Sequence, residues 1–183
     1  MIMRKLILAA VLVIACSVSS SAQSGYAIKA PTGYQGHLEH ENIFFPNSHN
    51  GMAFSTTHGF YYSDNVFVGL GLSVNLYDED GMFMVPFYAS AKYLFNPVAK
   101  VSPTLQMRLG SFLYEDDVNP YTDLALGLRF ASHHDFAFSL MLSGTYLGSF
   151  SYERGYYDSH SGEYSIEKTE YPFSFSLRIG IEW

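Results

Sequence analysis

A hydroxyl, an imidazole and a carboxylate are the parts of an acyl-transfer site, and Ser159, His160, Ser161 and Glu163 supply all three in one short stretch. Such a site works when the base reaches the nucleophile and a third group orients the base. Near-adjacent residues in a polar stretch point their side chains apart, so the sequence favours a solvated loop and assigns no catalytic residue. The histidines His37, His40, His49, His58, His133, His134 and His160 are metal ligands by type. No two of them stand at a recognised zinc spacing with further ligands, and they read as solvated side chains rather than a metal site. The acidic run Asp78-Glu79-Asp80-Gly81 matches a fragment of a calcium loop but lacks the twelve-residue ligand pattern. Loose contact with divalent cations suits it better than a dedicated site. No cofactor is implied.

A second set of ionisable residues is scattered. Lys92, Arg108, Asp123, Arg129, Arg178 and Glu182 each sit among apolar and small residues, and Glu39 or Glu41 joins them if its segment faces the same way. They suit either a polar conduit or a network of ion pairs filling an interior. A buried charge without a partner costs several kcal/mol, which favours the paired network.

The elements that must position these residues are strands. From Tyr171 to Trp183 large apolar residues (Tyr171, Phe173, Phe175, Leu177, Ile179, Ile181, Trp183) alternate with Pro172, Ser174, Ser176, Arg178, Gly180 and Glu182. Period two is the mark of a strand with two chemically different faces. The same pattern predicts seven more strands at about 33–42, 51–62, 65–77, 82–95, 101–114, 121–131 and 135–149. The first is the weakest and its facing is ambiguous. Ten residues rise roughly 33 Å, which a tilt near 40° reduces to about 25 Å, the height of the apolar band on a membrane barrel. Connections alternate between tight turns (63–64, 96–100, 132–134) and longer polar loops (43–50, 78–81, 115–120, 150–170). Aromatic residues at strand ends (Tyr62, Phe95, Phe130, Phe136 and Trp183 at one end, Tyr77, Phe83, Tyr146 and Tyr171 at the other) are expected to form interfacial girdles.

Composition and the amino terminus agree. Met1 to Lys5 is basic, Leu6 to Ile14 apolar, and Ser17 to Ala22 small and polar, as in a secretory signal peptide cleaved after Ala22. The stretch Val13-Ile14-Ala15-Cys16 also resembles a lipoprotein processing site, but the serine-rich run favours ordinary cleavage and a mature chain without cysteine. Residues 1–22 are therefore read as the signal, 23–32 as a lead-in and 33–183 as one barrel. Charged residues are 15% and aromatics 17% of the chain, where soluble domains carry about 25% charged residues. With a net charge of −7 and no basic stripe, nucleic-acid binding is excluded.

Alternation alone leaves a soluble lipocalin-like carrier open, with its apolar face inward. The minor face decides, because it is Gly, Ser, Ala and Thr rather than the Lys and Glu that water would demand. The expected fold is all-β: an eight-stranded antiparallel up-and-down transmembrane barrel.

The long alternating strands, the asymmetric connections and the terminal Ile181-Glu182-Trp183 resemble the small outer-membrane barrels typified by the OmpA membrane domain and OmpX. That resemblance implies an outer-membrane protein with both termini in the periplasm, surrounded by membrane lipid and lipopolysaccharide, and monomeric. It also implies that Phe175, Leu177, Ile179, Ile181 and Trp183 form the signal read by the barrel-assembly machinery. The expected role is structural or adhesive, carried by the outward loops, with no open pore and no enzymatic activity. The enzymatic alternative is lipid A modification, for which the strand-borne His-x-Ser pattern of the deacylases is missing. Lipid A incubated with the protein should keep all its acyl chains by mass spectrometry, equally for wild type and His160→Ala; loss of a chain only with wild type would establish the enzyme.

Overall fold

Strands with one apolar face need somewhere to put it, and eight of them here wrap into a cylinder with that face outward. The computed structural model describes residues 30–46, 50–78, 83–114, 117–132, 136–148, 151–158, 163–170 and 173–183. The expected signal peptide, Cys16 and residues 23–29 of the lead-in lie outside them. Ten strands follow in chain order: β1 (Gly33–Phe44), β2 (Asn50–Tyr61), β3 (Val66–Tyr77), β4 (Phe83–Leu94), β5 (Val101–Tyr114), β6 (Asp117–Ala131), β7 (Ala137–Tyr146), β8 (Ser151–Asp158), β9 (Glu163–Glu170) and β10 (Phe173–Glu182). Eight close into a barrel in the order β1-β10-β7-β6-β5-β4-β3-β2, every pair antiparallel.

Facing follows the expected parity. Leu70 is 71% exposed, Leu126 47% and Phe175 51%, on the outer wall. A lipocalin-like carrier would enclose these side chains, so that alternative falls. The ambiguity of β1 is also resolved: Gln35, His37, Glu39, Glu41 and Ile43 point inward, while Leu38 and Phe44 point out.

Closure is made by the ends of the barrel. β1 pairs with β10 from His37 opposite Glu182 to Phe44 opposite Phe175. Beyond that register Gly36 and Trp183 exchange backbone hydrogen bonds of 2.9 and 3.0 Å. A Cβ on Gly36 would come within 2.7 Å of the Trp183 indole, so glycine is what lets the ring lie across the seam.

Three features depart from the sequence reading. The segment expected as a long loop contains a separate two-stranded sheet, β8 with β9. Its register sets Glu153 opposite Lys168 and Arg154 opposite Glu167. Tyrosines and β-branched residues favour strands, but here they lack the apolar alternation that marks a barrel strand. The β5–β6 connection is shorter than expected because β6 begins at Asp117. Tyr77 does not join an outer girdle: it is buried inside the barrel, where Asn75 Nδ2 donates to its hydroxyl at 3.3 Å. Tyr62, Phe83, Phe95, Phe130, Tyr146 and Trp183 are exposed on the wall.

The lumen is layered. Tyr61, Phe67 and Leu94 cluster at the end that carries Gly33 and Trp183, called here the terminal end. Ile43, Phe45, Ala53, Tyr77, Met84, Tyr88, Phe112, Tyr121 and Leu147 cluster at the opposite, loop end. Polar side chains lie between. A barrel closed by backbone hydrogen bonds along every strand should resist dodecyl sulfate until heated. Unheated and boiled samples are expected to migrate differently on a gel; coincident bands would contradict the closed barrel.

Candidate functional site

Strand parity sends every second residue into a bore only wide enough for packed side chains, so a charge placed there must meet a partner. Among the described residues the buried charges are Glu39, Glu41, Asp123 and Glu182 against Lys92, Arg108, Arg129 and Arg178. Acids and bases balance, and they fall into two groups.

The larger group spans the middle of the bore. Arg108 bridges two neighbours on β1: its Nη1 donates to Glu41 Oε1 at 2.7 Å, and its Nη2 donates to Glu39. Its guanidinium also lies 4.7 Å from the centre of the Tyr88 ring, a cation–π contact. Arg178 approaches from β10. Its Nη2 donates to Asp123 Oδ1 at 2.8 Å, and its Nε lies 2.8 Å from the same Glu41 oxygen without hydrogen-bond alignment. Hydroxyls take up remaining acceptors. Ser176 donates to Glu41 Oε2 at 3.1 Å and Thr145 to Asp123 Oδ2 at 3.1 Å. Glu41 therefore joins two arginines from opposite parts of the cylinder.

The smaller group lies toward the terminal end. Glu182 accepts from Lys92 Nζ through Oε1 and from Arg129 Nε through Oε2, each at 2.7 Å. Lys92 Nζ also stands 3.2 Å from His37 Nδ1. The His37 ring stacks on Phe67 at 4.4 Å and is wholly buried, which corrects its reading as a solvated histidine.

All six interior residues singled out from the sequence are thus buried in the lumen and ion-paired. Glu39 and Glu41 both join them. Of the terminal set, Phe175, Ile179 and Trp183 are exposed on the wall, while Leu177 and Ile181 are half-buried beside them. Ser159, His160, Ser161, His49, His133, His134 and Glu79 to Gly81 lie outside the described residues. Among the described residues no group of three His, Cys, Asp or Glu side chains could hold a metal ion.

Sequence reading also missed a polar cluster on the outer wall. Tyr34 Oη lies 2.6 Å from His58 Nδ1, and Thr56 Oγ1 lies 3.0 Å from His58 Nε2. Only the β1–β2 register, with Gly36 opposite His58, brings Tyr34 beside the imidazole.

An apolar wall around an ion-paired bore is the inverse of a soluble barrel. The chain has the fold of an eight-stranded outer-membrane barrel. The crystal structure of Neisserial surface protein A (NspA) is similar to it with a TM-score of 0.55 at 13% identity, over 81% of this chain and 94% of that one. The crystal structure of the outer membrane enzyme PagL is similar with a TM-score of 0.51 at 9% identity, over 80% of this chain and 97% of that one. No family model matches the chain, and no curated protein matches it significantly in sequence. At these identities the likeness concerns the fold alone.

The barrel's dependence on its interior pairs is measurable. Arg178→Met leaves the Asp123 and Glu41 carboxylates short of a cation, and breaking a buried pair in this way costs about 3–5 kcal/mol. Urea unfolding followed by Trp183 fluorescence should show that loss, and the double change Arg178→Met with Asp123→Leu should recover part of it. Equal stability of Arg178→Met and wild type would show that the pair contributes nothing.

Proposed function

We propose that this chain is a monomeric, non-enzymatic barrel of the outer membrane, with a structural or adhesive role carried at its loop end. The observation that carries this reading is the filled bore: Arg108 and Arg178 reach across it from β5 and β10, and neither has any exposed surface. Side chains held by several charge-assisted hydrogen bonds resist displacement, which leaves no aqueous path of useful width. The likeness in fold to outer-membrane proteins supports the location.

On this reading the even strand count keeps both termini in the periplasm, and Phe175, Leu177, Ile179, Ile181 and Trp183 are recognised by the barrel-assembly machinery during insertion. Membrane lipid and lipopolysaccharide surround the apolar wall. The β8–β9 hairpin, a sheet separate from the barrel, then stands at the cell surface and offers its backbone edges to a partner.

Reconstituted into planar bilayers, the protein should show no stable conductance step; a reproducible single-channel current would overturn the filled-bore reading. Bacteria displaying the full chain should adhere to an epithelial monolayer, and deletion of residues 151–170 should lower adhesion while the heat-dependent gel shift persists. Undiminished adhesion by the deletion variant would remove the hairpin from the adhesive role.

A further inference from the structure

Polar side chains on a lipid-facing wall are costly unless their hydrogen bonds are satisfied. Tyr34, Thr56 and His58 break the apolar wall near the terminal end, where the Trp183 ring meets the His58 ring edge-on at 6.4 Å. The imidazole is held on both sides, by Tyr34 Oη at 2.6 Å and Thr56 Oγ1 at 3.0 Å. The Tyr34 and His58 rings lie nearly parallel, 18° apart, and the edge of Phe60 packs against Tyr34.

Proton counting sets the chemistry of this relay. The tyrosine hydroxyl, the neutral imidazole and the threonine hydroxyl carry one mobile hydrogen each, but only two hydrogen bonds join them. If Tyr34 donates to Nδ1, then Nε2 donates to Thr56 and the threonine hydrogen is left over. In the other tautomer Thr56 donates to Nε2, Nδ1 donates to Tyr34, and the tyrosine hydrogen is left over. The second arrangement leaves the Tyr34 hydroxyl hydrogen for an outside acceptor. Beside it lies a concavity of about 590 Å³ lined by Tyr34, His58, Gly59, Phe60, Val68, Gly69 and Leu70. The surface is apolar apart from the relay, and it opens onto the same wall as the exposed Val68 and Leu70. A ligand that fits must carry an uncharged acceptor next to a hydrocarbon chain, at the depth of an interfacial tryptophan. The glycerol ester of a membrane lipid has that arrangement.

We propose that the Tyr34–His58–Thr56 relay and the adjoining concavity bind one diacyl phospholipid, an ester carbonyl accepting the spare hydroxyl proton and an acyl chain lying on Phe60, Val68 and Leu70. The site rests on the membrane-barrel reading and adds a specific lipid contact to it. With the termini in the periplasm, it faces the inner leaflet, where phospholipid is the available ester.

Native mass spectrometry of the full-length barrel in detergent, titrated with dimyristoyl phosphatidylethanolamine, tests the site. Wild type should retain one lipid, and should prefer this ester over the ditetradecyl ether analogue by about five-fold, the effect of one hydrogen bond. Tyr34→Phe, which removes the hydroxyl donor and keeps the ring, should abolish the preference for the ester. Val68→Trp should lower occupancy by filling the concavity, whereas Leu142→Trp, on the wall at β7, should leave it unchanged. Equal retention of ester and ether by wild type, or equal losses in Val68→Trp and Leu142→Trp, would reduce the site to ordinary surrounding lipid and overturn the proposal. Each sample is first checked for the heat-dependent gel shift. If wild type lacks the shift, the membrane-barrel reading fails and the lipid site falls with it; if wild type is folded but retains no lipid, the lipid site alone fails.

Discussion

The interior of this barrel is organised by the requirement that every charge inside a narrow, water-poor bore be matched by an opposite one. Glu41 shows how that requirement shapes the whole cylinder. It accepts from Arg108 at 2.7 Å and stands 2.8 Å from Arg178, so β1, β5 and β10 are tied through one carboxylate. Through Asp123, Arg178 extends the tie to β6. The Arg108 contacts run across the bore from β5 to β1, whereas Glu41 and Arg178 face each other on the paired strands β1 and β10. The ladder closes the wall, and the charges fix its cross-section. Breaking one pair leaves several groups unsatisfied, so the network behaves as a unit.

The apolar clusters at each end complete that arrangement. Tyr61, Phe67 and Leu94 cap the terminal end of the bore, and the larger cluster around Phe112 and Tyr121 caps the loop end. Between two greasy caps the ion pairs sit in a medium of low polarity, where mutual attraction is strong and isolation is expensive.

Much of this was legible in the chain because membrane strands leave a two-residue signature. Where the two faces contrast, as in β10 with Phe175 and Ile179 against Ser176 and Arg178, both facing and interior charge could be read. Where contrast is lost, the reading failed. β1 puts His40 and Asn42 on the outer wall, so Glu41 lies between two polar neighbours that do not mark it as inward. Phe67 sits inside an apolar run, Val66 to Val68, that conceals its inward parity. The hairpin carries no apolar face, and the Tyr34–His58 contact depends on a cross-strand register that no single segment encodes. The fold was therefore more legible than the sites, since periodicity is local and side-chain constellations are not.

The seam between Gly36 and Trp183 has a temporal meaning. β1, the first strand of the barrel, finds its second neighbour only in β10, the last barrel strand in chain order. Until the two meet, the sheet presents two raw borders, each able to zip onto a stranger. The paired backbone bonds of Gly36 and Trp183 extend the β1–β10 ladder past its last side-chain register and leave neither border open.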